Sequence, residues 1–104
     1  MSKNIIPWND NINLDNDTIL LIFSTPTCPP CRALIPVLDQ MDGMITNNQF
    51  KICKINCEEL PSLANRFNIK MVPTIIFFHK GQMKNYNQSR DANSMYKWIT
   101  SQIV

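Results

Sequence analysis

Residues 18–41 read TILLIFSTPTCPPCRALIPVLDQM. The uninterrupted apolar run over residues 19–23 has the length of a strand and no polar face, which is typical of a strand covered on both sides in a parallel or mixed sheet. After Cys28 the apolar residues recur every three or four positions, which predicts an amphipathic helix that contains Pro36. This stretch therefore predicts a buried strand that leads directly into a helix, with a Cys-Pro-Pro-Cys segment at the junction.

The rest of the chain continues the alternation of strands and helices. Further elements are expected as a short edge strand at Ile5-Ile6, a buried strand over 50–55, a short helix from Pro61, a hairpin of strands over 74–78 and 83–86 that turns at Lys80-Gly81, and a last helix over 93–103. No repeat, linker or low-complexity tract interrupts this order. The sequence predicts a single α/β domain over residues 1–104.

Composition narrows the classes of function. Among 104 residues 44% are hydrophobic and 17% are charged, and the net charge of +2 arises from scattered residues without a basic stripe, which argues against nucleic-acid binding. The longest apolar run is far shorter than the roughly 18 residues that a membrane helix needs, and residues 1–7 lack the apolar core of a signal peptide. We expect a soluble, cytoplasmic protein that binds neither nucleic acid nor a membrane.

The pair Cys28 and Cys31 carries the most specific chemistry. At a strand-to-helix junction Cys28 lies near unpaired N–H groups and the positive end of the helix dipole, where a thiolate is favoured. Cys31 follows one helical turn later, so its thiol can displace Cys28 from a mixed disulfide. The spacing predicts a dithiol–disulfide couple in which Cys28 attacks and Cys31 resolves.

Several motifs beyond the cysteines share one family pattern. They are Cys28-x-x-Cys31-Arg32 with Pro36 five residues later, Lys54-Ile55-Asn56, Val72-Pro73-Thr74 and Gly81. From about Thr18 to the end the chain resembles the thioredoxin family. The resemblance implies the thioredoxin fold, in which a central mixed β-sheet is flanked by helices.

The resemblance also implies roles for particular residues. Cys28 would be the nucleophile, Cys31 the resolving cysteine, and Lys54 a group that approaches the resolving thiol and modulates its pKa. The residues implied in substrate binding are Thr27, Pro29, Pro30, Val72 and Pro73, the last in a cis-proline loop. The activity implied is thiol–disulfide exchange with disulfide-containing proteins by a monomer, without metal or cofactor beyond the Cys28–Cys31 disulfide, recharged by a thioredoxin reductase or by glutathione.

The chain departs from the family pattern at four positions. Ile22 stands where thioredoxins place a buried aspartate that helps to deprotonate the resolving cysteine. Ser24 and Thr27 stand where tryptophans are usual, and Ser89 replaces a loop glycine. Because Ile22 cannot accept a proton, we expect the resolving step to be slow.

Three other functions fit the same residues. A disulfide oxidase or isomerase would use the same cysteine pair at a higher potential, and a binding module would use the Pro73 face without turnover. A third alternative is zinc held by the four thiolates of Cys28, Cys31, Cys53 and Cys57.

The other notable side chains have simpler expected roles. Cys53 is predicted to be a buried core residue, Cys57 to lie toward the rim of the active face, and His79 to be a solvated turn residue. Surface charges that tune partners are expected at Arg32 and Arg90. Trp8 and Trp98 are predicted to be packing residues away from the cysteine pair, so that reduction would change their fluorescence little.

Overall fold

The computed structural model describes residues 3–103. Five strands and three helices alternate along this part of the chain. They are β1 (Ile5–Pro7), β2 (Ile19–Ser24), α1 (Pro29–Met44), β3 (Lys51–Asn56), α2 (Pro61–Arg66), β4 (Thr74–His79), β5 (Gln82–Asn85) and α3 (Ala92–Ile103). Every element predicted from the sequence is present, with boundaries shifted by one or two residues.

The strands form one mixed sheet in the order β1-β3-β2-β4-β5. The pairs β1–β3 and β2–β3 are parallel, whereas β2–β4 and β4–β5 are antiparallel. Strand β2 is central, and residues 19–23 are all buried, which explains why this strand has no polar face. The α/β class and the central mixed sheet flanked by helices are confirmed.

Alternate residues of β2 enter two separate apolar clusters, one on each face of the sheet. Leu20 and Ile22 pack with residues of α1 and α3. Leu21 and Phe23 pack on the opposite face with Leu63 of α2 and with the chain that follows β1. The two clusters fix β2 from both sides, so the end of β2 is a rigid support for the residues that follow it.

The β4–β5 hairpin turns at Lys80 and Gly81, whose φ angles are +52° and +78°. Positive φ at both central residues is the geometry of a two-residue turn that matches the twist of the strands. His79 pairs with Gln82 across this turn. The last strand therefore begins at Gln82, one residue earlier than the sequence analysis predicts.

Helix α1 begins at Pro29, where the missing N–H of proline costs no intrahelical hydrogen bond. Pro36 lies inside the helix, as predicted. Within residues 3–103, none of the three helices combines the length and the apolar character required to cross a membrane.

Candidate functional site

Cys28 and Cys31 lie at the junction between β2 and α1. Cys28 is the N-cap residue of α1 with an extended backbone, at φ −88° and ψ 113°. Its Sγ accepts a hydrogen bond from the backbone N–H of Cys31 at 3.2 Å. An N–H donor at a helix N-terminus stabilises negative charge, and the Cys31 backbone places such a donor on the Cys28 sulfur.

The two thiols differ in exposure. Cys28 is half-buried, whereas Cys31 is only 5% exposed. Burial raises the pKa of the Cys31 thiol, and its hydrogen bond with Cys28 raises that pKa further. Cys28 is therefore the more accessible of the two thiols, and Cys31 is the thiol whose pKa is raised.

The loop before β4 approaches the same cysteine. The Val72–Pro73 peptide bond is cis, and the thiol of Cys28 donates to the carbonyl of Val72 over 3.7 Å. The sheet explains this proximity, because Thr74 at the start of β4 pairs with Phe23 near the end of β2. The structure thus brings Val72 and Pro73 to Cys28.

The remaining predicted contact residues surround the pair on the surface. Thr27, Pro29 and Pro30 are exposed, whereas Pro73 is buried. Pro29 and Pro30 provide no N–H groups, so the donor that reaches the Cys28 sulfur comes from Cys31.

A cleft of about 390 Å³ opens behind Cys31. Ile22, Cys31 and Leu38 line it together with Lys54, an exposed residue of β3 that pairs in register with Ile22. Lys54 thus lines the same cleft as Cys31. Because the residue opposite Lys54 is isoleucine, this pair contains no proton acceptor.

Trp8 lines this same cleft. The prediction that both tryptophans lie away from the cysteine pair is therefore wrong for Trp8. Its position depends on β1, which ends at Pro7 and pairs in parallel with β3. Trp98 packs elsewhere, edge-on against Phe77 with ring centroids 5.9 Å apart.

The prediction for His79 also needs correction. Its Nδ1 lies 2.8 Å from the hydroxyl of Thr18, and its ring stacks on Phe77 at 6.3 Å. The side chain is half-buried rather than solvated. The pairing of β2 with β4 places these two strand ends side by side.

The other two cysteines have different surroundings. Cys53 is fully buried in the sheet, and burial raises the pKa of its thiol to about 12. Cys57 is half-buried, packs against the cluster on the same face, and burial raises its pKa as well. Residues 3–103 contain no group of three or more cysteine, histidine or acidic side chains arranged to hold a metal ion, so the fold does not gather four thiolates into the site that the zinc alternative requires.

Arg90 lies near the site although it is distant in sequence. Its positive charge acts to lower the pKa of Cys31, against the larger effect of burial. Arg90 and Pro73 line a common groove. The sequence indicates only an exposed cation after β5, and its place in the groove with Pro73 depends on the folded hairpin.

Taken together, a five-stranded mixed sheet, a Cys-x-x-Cys pair at a helix N-terminus and an adjacent cis-proline define a thioredoxin-fold protein with a dithiol site. Comparison with known families agrees, because the Thioredoxin family profile matches residues 2–101. The chain belongs to the thioredoxin family.

Individual relatives are similar over much of the chain. Thioredoxin M4, chloroplastic, of Arabidopsis thaliana is 37% identical over 78 residues, which cover 75% of this chain and 40% of the relative. A Rickettsia bellii thioredoxin is 28% identical over 86 residues, covering 82% of this chain and 81% of the relative. Among solved structures, a mutant thioredoxin from Halobacterium salinarum superposes with a TM-score of 0.75 at 25% identity, over 93% of this chain and 87% of that one. The aligned part spans about two fifths of the length of the chloroplastic relatives.

Proposed function

We propose that this chain is a thiol–disulfide oxidoreductase that reduces disulfide bonds of protein substrates. The observation that carries the proposal is the asymmetry of the dithiol. The Cys28 sulfur is accessible and accepts a backbone N–H at 3.2 Å, while Cys31 is shielded and protonated behind it. Cys28 is therefore positioned to attack the substrate disulfide, and Cys31 reacts in the second step.

The reaction proceeds by two exchanges. The Cys28 thiolate attacks one sulfur of the substrate disulfide, so that a mixed disulfide forms and the other substrate sulfur leaves as a thiolate. Cys31 then loses its proton and attacks the Cys28 sulfur, which releases the second substrate thiolate. The substrate gains two electrons, and the protein is left with a Cys28–Cys31 disulfide.

The surrounding residues hold the substrate for this attack. The Val72 backbone lies beside Cys28 and can pair with an extended substrate segment as an added strand. Pro73 has no N–H, and the exposed Thr27, Pro29 and Pro30 form the surface that the substrate meets. Lys54, in the cleft behind Cys31, modulates the deprotonation of the resolving thiol.

The cycle needs an external donor and no bound cofactor. A reductase flavoprotein of the thioredoxin system or glutathione would return two electrons to the Cys28–Cys31 disulfide. We place the reaction in the cytoplasm, where such donors keep thiols reduced, and we propose that the protein acts as a monomer.

The test is reduction of a disulfide-linked peptide with dithiothreitol as the donor. Wild type should accelerate the reduction, Cys28→Ser should abolish the acceleration, and Cys31→Ser should accumulate a mixed disulfide that mass spectrometry detects. Cys57→Ser is the matched control, because it removes a half-buried thiol outside the pair and should retain the activity. Failure of wild type to reduce any peptide, with no adduct on Cys31→Ser, would favour the binding-module alternative.

The direction of the exchange follows from the reduction potential. Equilibration in glutathione buffers, with free thiols counted by mass, gives the potential of the Cys28–Cys31 couple. A value near about −270 mV supports a reductase, whereas a value of about −180 mV or higher means an oxidase or isomerase.

A further inference from the structure

A groove of about 450 Å³ borders the cis-proline loop. Met71, Pro73 and Thr74 line one part of it, and Tyr86, Gln88 and Arg90 line another. Met71 is 74% exposed. All the described residues that line this groove are neutral except Arg90, so the groove presents one positive charge among apolar and amide side chains.

The loop that carries Arg90 is anchored just before it. The hydroxyl of Tyr86 donates to the carbonyl of Ser89. Tyr86 is itself buried, its ring packs edge-on against Trp98 with centroids 5.2 Å apart, and its backbone N–H donates to the carbonyl of Ile75 at 2.9 Å. The position of Ser89 is therefore set by the core.

The loop is also anchored just after Arg90. The carboxylate of Asp91 accepts the backbone N–H of Ser94 at 2.8 Å, at the start of α3. Asp91, the acidic residue next to Arg90, therefore forms a hydrogen bond at the N-terminus of α3, where a negative charge is stabilised. With both flanking residues fixed, the Arg90 backbone has little freedom to move away from the groove.

A substrate segment that lies along Val72 and Pro73 must cross the edge of this groove. When its cysteine reaches Cys28, which lies beside Val72, the segment would extend along the groove that Pro73 shares with Arg90. Side chains alternate between the two sides of an extended segment. The side chain two positions from the substrate cysteine therefore lies on the same side as that cysteine, toward this protein and the groove that contains Arg90.

We propose that Arg90 is a specificity-determining residue that favours disulfides flanked by an acidic residue, by pairing its guanidinium with the substrate carboxylate. This inference rests on the proposed function, since it assumes that substrates are reduced at Cys28. Arginine presents several N–H donors in a plane that matches a carboxylate. The influence of Arg90 on the pKa of Cys31 supports it, because the same charge acts at the dithiol.

The test uses three disulfide-linked peptides that differ only two positions from the attacked cysteine, where they carry glutamate, glutamine or lysine. For wild type, kcat/KM should fall in that order, by about two- to fivefold per step, as expected for an exposed ion pair. Added salt should narrow the differences. Arg90→Gln should make the three peptides nearly equal, and Arg90→Glu should reverse the order.

The control is Lys84→Glu, which makes the same change of charge on β5. Lys84 donates to Gln102 near the other end of α3, on the order of 15 Å along the helix from its start. This variant should keep the wild-type order. Reduction of dithiodipyridine, which is neutral, checks that each variant retains its dithiol.

The outcomes separate the two proposals. Equal rates on all three peptides with wild type, or the wild-type order retained by Arg90→Glu, would overturn the role of Arg90 while leaving disulfide reduction intact. If wild type reduces none of the peptides, the proposed function itself fails. A loss of order in Lys84→Glu as large as in Arg90→Glu would assign the preference to net charge rather than to Arg90.

Discussion

Introducing a carboxylate at position 22 should accelerate the attack of Cys31 on the mixed disulfide. Ile22 lines the cleft that Cys31 also lines, and it pairs in register with Lys54. An aspartate there would stand within reach of the buried thiol as a proton acceptor. The Lys54 ammonium across the strand pair would help to keep the new carboxylate ionised.

The expected gain follows from the ionisation of Cys31. Burial raises its pKa from an ordinary value that already lies well above neutral, so only a small fraction of this thiol is a thiolate at pH 7. A base that removes this proton during the attack offsets that deficit, and positioned bases contribute about 10²-fold or more. We expect Ile22→Asp to resolve at least about tenfold faster than wild type at pH 7.

The substitution also has a cost in stability. Ile22 is 1% exposed within the cluster between the sheet and helices α1 and α3, so its removal should lower the free energy of unfolding by about 2–5 kcal/mol. Ile22→Asn is the matched control, since it loses the same apolar contacts without providing a base. Circular dichroism melts establish the temperature at which both variants are fully folded.

The assay is stopped-flow reaction of the reduced protein with excess dithiodipyridine. The first thiopyridone released reports attack by Cys28, and the second reports attack by Cys31 on the adduct. Cys31→Ser identifies the first phase. In wild type the second phase should accelerate about tenfold per pH unit from pH 7 to 9, because the rate follows the thiolate fraction, and Ile22→Asp should flatten that dependence.

Two results would refute this reasoning. If the second phase of wild type does not change between pH 7 and 9, Cys31 is not held protonated by burial. If Ile22→Asp is no faster than Ile22→Asn, the cleft does not give a carboxylate access to the Cys31 proton.

Three further predictions concern residues outside the dithiol. Because Trp8 lines the cleft with Cys31, oxidation of the dithiol should change tryptophan fluorescence, and Trp8→Phe should remove most of the change while Trp98→Phe retains it. The pKa of the Cys53 thiol is about 12 in the folded protein, against an ordinary value of 9.0. Between these two pH values the folded state therefore keeps a proton that the unfolded state releases. Chemical denaturation should therefore show a stability of the reduced protein that falls above pH 9 by at most about 1.4 kcal/mol per pH unit from this group, and Cys53→Ala should show a shallower slope. Hydrogen bonds from Ser94 lower the pKa of Asp91 below its ordinary value of 3.8. The stability that this carboxylate provides is therefore lost as the pH falls and acid protonates it. In thermal melts, the melting temperature of Asp91→Asn should fall less than that of wild type between neutral and acid pH.

Hydrophobic periodicity was sufficient to predict the elements of this fold. The run 19–23 is apolar throughout because β2 is paired on both edges and covered on both faces. Local chemistry was sufficient for the start of α1, where Pro29 follows an extended Cys28. The start of β5 was shifted because Lys80 also adopts a positive φ, which a lysine in the sequence does not indicate.

Residues whose environment depends on distant contacts were predicted less well. Trp8 reaches the cleft because β1 pairs with β3, and the sequence around Trp8 contains no signal for that pairing. His79 is half-buried because β2 places Thr18 beside it. Arg90 sits beside Pro73 only through the anchoring of its loop by Tyr86. Each case requires knowledge of which strands are neighbours, and periodicity does not supply it.

Two residues, Ile22 and Arg90, determine the electrostatics around Cys31. At position 22 the chain has an apolar side chain in the cleft behind Cys31, and the carboxylate that lines this cleft is that of Glu59, an exposed residue. On the substrate side Arg90 provides a cation, and that charge favours the anionic form of Cys31 without accepting its proton. An acidic substrate that pairs with Arg90 would partly neutralise the charge of this arginine while the substrate is bound. The charge would be restored when the substrate leaves. Because Cys31 must lose its proton before it can release the substrate, pairing of a substrate carboxylate with Arg90 should slow the resolution of acidic substrates relative to neutral ones.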